Sequence, residues 1–167
     1  MVLTKPELIA ALQNEVRILL HLATKIAPAQ LDHRPTPAQR SIRELVQYLG
    51  MMGPALLLYA LSDPTDEQIW YAAERESKGW DFEESLARIR AQHDGYAAAL
   101  ANVTDAALRS EMVDFDGNRS SRGAFIVSLV LGGCAAYRTQ LFLYLKACGH
   151  SRLNSSNLWS GVDAVPA

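Results

Sequence analysis

The stretch FIVSLVLGGCAAYRTQLFLYLKACG, residues 125–149, is the longest apolar, helix-periodic run in the chain. Its apolar residues recur every three or four positions, which is the spacing of one face of an α-helix. The uncharged part covers only residues 123–137, whereas a membrane-crossing helix needs about 20 predominantly apolar residues. We therefore predict a buried core helix that begins at Ser120 or Ser121, ends at about Cys148 and is followed by Gly149 as its cap.

Three other segments have helical periodicity, and each begins at a capping residue. Thr4 and Glu7 form a capping box before a helix predicted over residues 5–26. Ser41 starts a second capping box and a helix over residues 41–61. Asp81 caps a helix over residues 82–101. Four long amphipathic helices predict an all-α protein built as a four-helix bundle.

The connecting segments are polar and contain helix-breaking residues. Residues 65–80 and residues 104–112 each have the composition of a short extra helix. Pro54, inside the second helix, removes the backbone hydrogen bond that would reach Gly50. The tail, residues 151–167, is expected to be extended, and no second-domain linker occurs in residues 1–167. We therefore expect a single domain.

Composition excludes several functional classes. The net charge is −2, with 49% hydrophobic and 20% charged residues, and no basic stripe occurs. Nucleic acid and membrane surfaces are therefore not expected partners. Cys134 and Cys148 would lie about 21 Å apart on one helix, too far for a disulfide. Reduced thiols suit a cytoplasmic protein.

Local motifs for chemistry are missing from the sequence. It contains no glycine-rich phosphate loop, no Cys-x-x-Cys and no His-Glu-x-x-His. Gly132 and Gly133 lie mid-helix, where close helix–helix approach is favoured over room for a ligand. His93 is expected at the edge of an apolar helix face, as a hydrogen-bonded residue rather than a ligand. Cys134 is expected to be a buried, inert thiol.

Two segments together resemble one family. LDHRPTPAQRSIRELVQYLG, residues 31–50, resembles the arginine-proline loop and second-helix start of the DinB/YfiT-like superfamily. YRTQLFLYLKACG, residues 137–149, is similar to that superfamily's fourth-helix signature. The resemblance implies a four-helix bundle of up-down-down-up topology that is frequently dimeric. A homodimer is therefore expected.

The resemblance also implies a metal site, which this sequence alters at each ligand. Members typically hold a divalent metal such as zinc or nickel with three histidines, one from helix 2 and two from helix 4. Those positions fall here on Tyr48, or Gln47 if the register shifts, and on Gly133 and Tyr137. A glycine has no donor, and a phenol is a poor ligand for these metals at neutral pH. We therefore predict no metal cofactor.

Two arrangements of these positions are compatible with the sequence. Tyr48 and Tyr137 could border an apolar pocket, with Gly133 providing space for a small organic ligand and with Gln47, His93 and Cys134 as candidate neighbours. Alternatively, the two rings fill the space of the former metal. We favour the filled core, because protein interiors tolerate few voids.

Three functions remain open from the sequence. Characterised relatives of the resembled family include thiol S-transferases and a mycothiol-dependent isomerase. The favoured prediction is a small-molecule-binding or interaction protein without the metal. The alternative is a thiol-dependent S-transferase at the helix 2/helix 4 pocket with Tyr48, Tyr137 or His93 in acid–base roles, and a second alternative is a purely structural dimer. The sequence assigns no role to the tryptophans Trp70, Trp80 and Trp159.

Overall fold

The computed structural model describes residues 3–163. Its helices are numbered in chain order: α1 (Lys5–Ala23), α2 (Ile42–Leu61), α3 (Gln68–Ser77), α4 (Phe82–Leu100), α5 (Asp105–Ser110) and α6 (Arg122–Ala147). A hairpin of β1 (Met112–Phe115) and β2 (Asn118–Ser121) precedes α6, and single helical turns occupy Pro28–Gln30 and Ser156–Ser160. The predicted all-α fold is confirmed, with α1, α2, α4 and α6 as the four long helices.

The helix starts follow the predicted caps. Thr4 and Ser41 each accept a hydrogen bond from the backbone of the third helical residue, and the Glu7 and Glu44 carboxylates complete both capping boxes. Asp81 caps α4 in the same way. The predicted end of α1 is three residues too long, because the backbone after residue 23 tightens into turns with i−3 hydrogen bonds.

Contacts between the long helices fix their directions. The side chain of Lys5 at the start of α1 reaches the carbonyl of Leu100 at the end of α4, so these two helices run antiparallel. On α2, Gln47 contacts Trp80 and Gly53 contacts Tyr96. Residue numbers therefore increase in the same direction along both helices, so α2 and α4 run parallel.

Helix α6 completes the bundle. It meets α2 in antiparallel order, with Tyr48 against Tyr137 and Tyr59 against Phe125. Helix α6 packs against both α1 and α2, and α4 packs against both on the other side. The order of directions is up, down, down, up, as predicted.

The core fills the space between these four helices. Its most completely buried side chains include Leu12, Leu49, Ile89, Val130 and Leu145, all at 2% exposure or less. Each such aliphatic side chain contributes about 1.5–3 kcal/mol relative to an exposed one. Burial of one stripe per helix therefore accounts for the bundle.

The tail corrects the expectation of an extended segment. Residues 151–163 turn back onto α1, with Leu153 and Asn157 buried. The Asn157 side chain accepts from the Asn154 backbone and donates to Asp163, which holds the turn together. Trp159 is 67% exposed, so the anchors are Leu153 and Asn157 rather than the indole. The last part of the tail that was predicted to be extended, residues 164–167, lies outside the described residues.

Two helices within residues 3–163, α2 and α6, are long and apolar enough to cross a membrane. The apolar window of α2 is 67% buried inside the bundle and that of α6 is 33% buried. Core helices of soluble bundles pass the same test, so length and composition are weak evidence for a membrane span.

Candidate functional site

A cavity of about 540 Å³ and another of about 640 Å³ flank helix α2. The larger cavity lies along the seam between α2 and α6 and is bordered by the start of α3 and the tip of the hairpin. We call it the seam cavity. Its lining residues are Tyr48, Met52, Leu56, Glu67, Trp70, Tyr71, Phe115, Asp116, Ser128, Leu129, Gly132, Gly133, Ala136 and Tyr137.

Two phenols form one end of the seam cavity. The rings of Tyr48 and Tyr137 meet edge-on, with centroids 4.8 Å apart and planes at 65°. Trp70 packs edge-on against Tyr48 from α3, with centroids 6.0 Å apart. Tyr48 on α2 and Tyr137 on α6, which the resemblance places at metal-ligand positions, are therefore in direct contact beside the cavity.

A guanidinium lies over the phenol pair. The Arg40 guanidinium carbon is 4.0 Å from the centroid of the Tyr48 ring and 5.9 Å from that of Tyr137, which are cation–π distances. Arg40 is exposed and lines a neighbouring polar cleft rather than the seam cavity. The pair therefore separates an apolar cavity from a charged surface.

An irregular segment of α6 forms another part of the lining. Residues Ile126–Leu131 form a π-helical segment within α6, and Ser128 and Leu129 of this segment line the cavity. π-Helical turns inside α-helices are rare and frequently occur at functional sites. Nothing in the sequence periodicity indicated this segment.

The two glycines that follow lie where α6 packs closely against its surroundings. A Cβ at Gly133 would lie 3.2 Å from the sulfur and terminal methyl of Met52, and no backbone of another helix lies within 4 Å. Gly133 therefore permits the close approach of α2 through the Met52 side chain rather than through the α2 backbone. A Cβ at Gly132 would meet only the Val127 carbonyl of its own helix, at 3.4 Å. Gly133 thus makes room for the Met52 side chain, and both glycines belong to the cavity lining.

The donor set at these positions does not fit a divalent metal. Burial raises the pKa of Tyr48 well above its usual range, and the adjoining phenol of Tyr137 raises it further. The Tyr48 phenol therefore stays protonated at neutral pH, and Gly133 offers no donor atom. Across residues 3–163, no group of three or more His, Cys, Asp or Glu side chains could hold a metal ion.

The candidate neighbours Gln47, His93 and Cys134 do not join the seam cavity. The Gln47 side chain donates to the Trp80 carbonyl at 2.7 Å. The prediction that His93 lies at the edge of an apolar helix face is wrong, because its side chain is 53% exposed and pairs with Asp94. The reason is the register of α4, whose buried face passes through the position before it.

That buried position is Gln92, which the spacing of apolar residues did not indicate. Its amide donates to the carbonyls of Leu49 and Gly50 at 2.8 and 3.0 Å. Pro54 has no N–H for the Gly50 carbonyl, so Gln92 supplies the missing donor from the parallel helix. The signal in the sequence was Pro54 itself, since a proline inside a buried helix requires a donor from elsewhere.

Tyr96 extends this network towards α6. Its hydroxyl donates to the Gln92 side-chain oxygen at 2.9 Å. A Cβ at Gly53 would overlap that hydroxyl, so only glycine leaves room for it. Burial, with a smaller effect of the Glu15 carboxylate, raises the pKa of the neighbouring Cys134 thiol to about 12. Cys134 is therefore a buried thiol on the core side of α6 and remains protonated at neutral pH.

The arginine of the YRTQL segment supports packing. Arg138 is 3% exposed, its Nε lies 2.9 Å from a Glu15 carboxylate oxygen, and it donates to the Leu158 carbonyl of the tail. Burial raises the pKa of Glu15, and the Arg138 charge opposes that shift. This ion pair joins α1, α6 and the tail.

The cavity of about 540 Å³ on the other side of α2 is a weaker candidate. It lies between α2, α3 and α4 and has alanine-rich walls. The polar groups of Gln92 and Tyr96 that border it already bond to each other and to α2. Few polar groups are thus left to orient a ligand there.

The architecture defines a class, a four-helix bundle with a lateral cavity between its second and last long helices. The family model of the DinB superfamily matches residues 11–131, so the chain belongs to the DinB superfamily. The chain is also similar to the crystal structure at 2.30 Å resolution of a DinB-like protein, YjoA, from Bacillus subtilis, with a TM-score of 0.67 and 16% identity. That alignment covers 88% of this chain and 94% of that one, and it supports the fold alone. No curated protein matches the chain.

Proposed function

We propose that this DinB-superfamily protein binds a small organic molecule in the seam cavity, at the positions where the family resemblance implies a metal. The observation that carries the proposal is the contact of Tyr48 with Tyr137 beside a cavity of about 640 Å³. Ligand pockets are typically 300–1,000 Å³, mostly apolar, with a few polar groups, so about 640 Å³ fits a small ligand.

The chemistry of the walls supports binding more than catalysis. The raised pKa of Tyr48 keeps its phenol protonated, so it can donate a hydrogen bond but is a poor general base near neutral pH. The Cys134 thiol has a pKa of about 12 and does not line the cavity. His93, the other candidate for acid–base chemistry, is exposed on α4. A thiol-transferase reaction therefore finds less support here than ligand binding.

The test is a blocking substitution with a matched control. Ala136 is exposed and lines the cavity, whereas Ala147 is exposed at the end of the same helix and does not. Ala136→Phe should obstruct the cavity with a phenyl ring, and Ala147→Phe makes the same chemical change elsewhere. Thermal stabilisation is measured with benzyltrimethylammonium, 3-phenylpropan-1-ol and phenylacetate, because a ligand that binds only the native state raises its stability.

The proposal expects at least one of these probes to stabilise wild type and Ala147→Phe saturably but not Ala136→Phe. If no probe stabilises wild type, or if Ala136→Phe responds equally, the binding function is refuted and a purely structural role is favoured.

The compartment and the assembly also belong to this proposal. Free Cys134 and Cys148 suit a reducing cytoplasm. A homodimer is expected from the family resemblance, and light scattering on the purified protein measures it directly.

A further inference from the structure

We infer that the ligand of the seam cavity is a small organic cation with an apolar body, an inference that rests on the proposed function. The rim and the walls of the cavity both favour such a ligand.

The rim carries negative charge only. Its two charged side chains are Glu67, just before α3, and Asp116, at the tip of the hairpin. Neither carboxylate has an ion pair or side-chain hydrogen bond within residues 3–163, and no lysine, arginine or histidine in that range lines the cavity. Two carboxylates without partners beside an apolar recess favour a positively charged occupant.

The walls are aromatic, which suits the same occupant. Trp70 and Tyr71 of α3 and Phe115 of the hairpin join Tyr48 and Tyr137 in the lining. Tyr71 and Phe115 are 46% and 38% exposed, so their apolar surface is available at the mouth. Aromatic faces attract ammonium groups through the ring quadrupole, and several rings together recognise quaternary ammonium ligands.

The protein itself shows this attraction. The Arg40 guanidinium carbon lies 4.0 Å from the centroid of the Tyr48 ring, and within residues 3–163 Arg40 has no ion pair or hydrogen bond. The phenol pair is thus already the partner of one cation. The positive charge of Arg40 opposes a second cation, but it is exposed to solvent, where screening weakens its effect.

The experiment compares three probes of similar frame and different charge by isothermal titration. Benzyltrimethylammonium, the cation, should bind wild type several-fold more tightly than neutral 3-phenylpropan-1-ol or anionic phenylacetate, and added salt should weaken only the cation. The double variant Glu67→Gln/Asp116→Asn should weaken binding of the cation by about two- to thirtyfold, the range for two exposed ionic contacts. Its affinity for the alcohol should not change.

A control variant removes the same charge elsewhere. Glu83→Gln/Asp94→Asn changes two exposed acidic residues of α4 that do not line the cavity, and it should bind all three probes as wild type does. The inference is overturned if the alcohol or phenylacetate binds as tightly as the cation, or if both double variants weaken the cation equally. In either case, loss of probe binding in Ala136→Phe would still support the binding function. Failure of the cation inference is therefore distinguishable from failure of the proposed function.

Discussion

Replacing Gln92 with leucine should destabilise the protein through a backbone carbonyl on another helix. The Gln92 amide donates to the Gly50 carbonyl at 3.0 Å, the group for which Pro54 cannot provide an N–H. Leucine has a similar size but no donor, so the buried carbonyl loses its partner at a cost of about 1–3 kcal/mol. The Tyr96 hydroxyl also loses its acceptor, which adds about 0.5–1.5 kcal/mol. We expect Gln92→Leu to lower the free energy of unfolding by about 1.5–4.5 kcal/mol.

A double-mutant cycle with Pro54→Ala isolates the carbonyl contribution. Alanine restores the N–H that donates to the Gly50 carbonyl within the helix. In the Pro54→Ala background, the loss of unfolding free energy caused by Gln92→Leu should therefore be smaller by at least about 1 kcal/mol. The assay is urea unfolding followed by circular dichroism. Gln68→Leu, at an exposed position of α3, is the matched control and should change stability by no more than about 0.5 kcal/mol. Equal costs of Gln92→Leu in the wild-type and Pro54→Ala backgrounds would refute the compensation.

Three further predictions concern the same core. Gly53→Ala should lower the free energy of unfolding by about 1–3 kcal/mol through overpacking. In a Tyr96→Phe background, urea unfolding should show a smaller loss, because the hydroxyl that the new Cβ would overlap is gone. An equal loss in both backgrounds would contradict the steric explanation. In the native protein a thiol reagent should modify Cys148 and spare buried Cys134, whose pKa is about 12, so Cys148→Ser should leave no fast-reacting thiol until unfolding. Burial raises the pKa of Glu15 in the folded state, so the native protein holds its proton more tightly than the unfolded chain, and the free energy of unfolding of wild type relative to Glu15→Gln should fall as pH rises from about 4 to about 7. A relative stability that rises over this range would show that the Arg138 charge outweighs burial.

The sequence predicted the bundle because its signals are local. Capping boxes at Thr4 and Ser41 and the cap at Asp81 placed three helix starts, since each needs only a hydroxyl or carboxylate near free N–H groups. The tail was harder to predict. Its turn depends on Asn157 meeting residues distant in sequence, such as His21 on α1, and spacing along the chain does not show such a contact.

The candidate site was predictable only in part. The resemblance pointed to Tyr48, Gly133 and Tyr137, and all three belong to the lining of one cavity. The acidic rim was not predictable, because Glu67 and Asp116 come from connections whose placement depends on how α3 and the hairpin pack on α2 and α6. Packing between helices also explains the wrong prediction for His93, because the neighbouring polar residue, Gln92, occupies the buried position on α4.

An aromatic cavity occupies the positions where the family resemblance implies a metal, and metal analysis of dialysed protein tests this most directly. Wild type, incubated with zinc or nickel and then dialysed, should retain no stoichiometric metal, because Gly133 has no donor and the Tyr48 phenol stays protonated. The variant Tyr48→His/Gly133→His/Tyr137→His restores the implied ligand set and serves as the positive control, which should retain about one ion per chain. Stoichiometric metal in wild type that Tyr137→Phe removes would contradict the account.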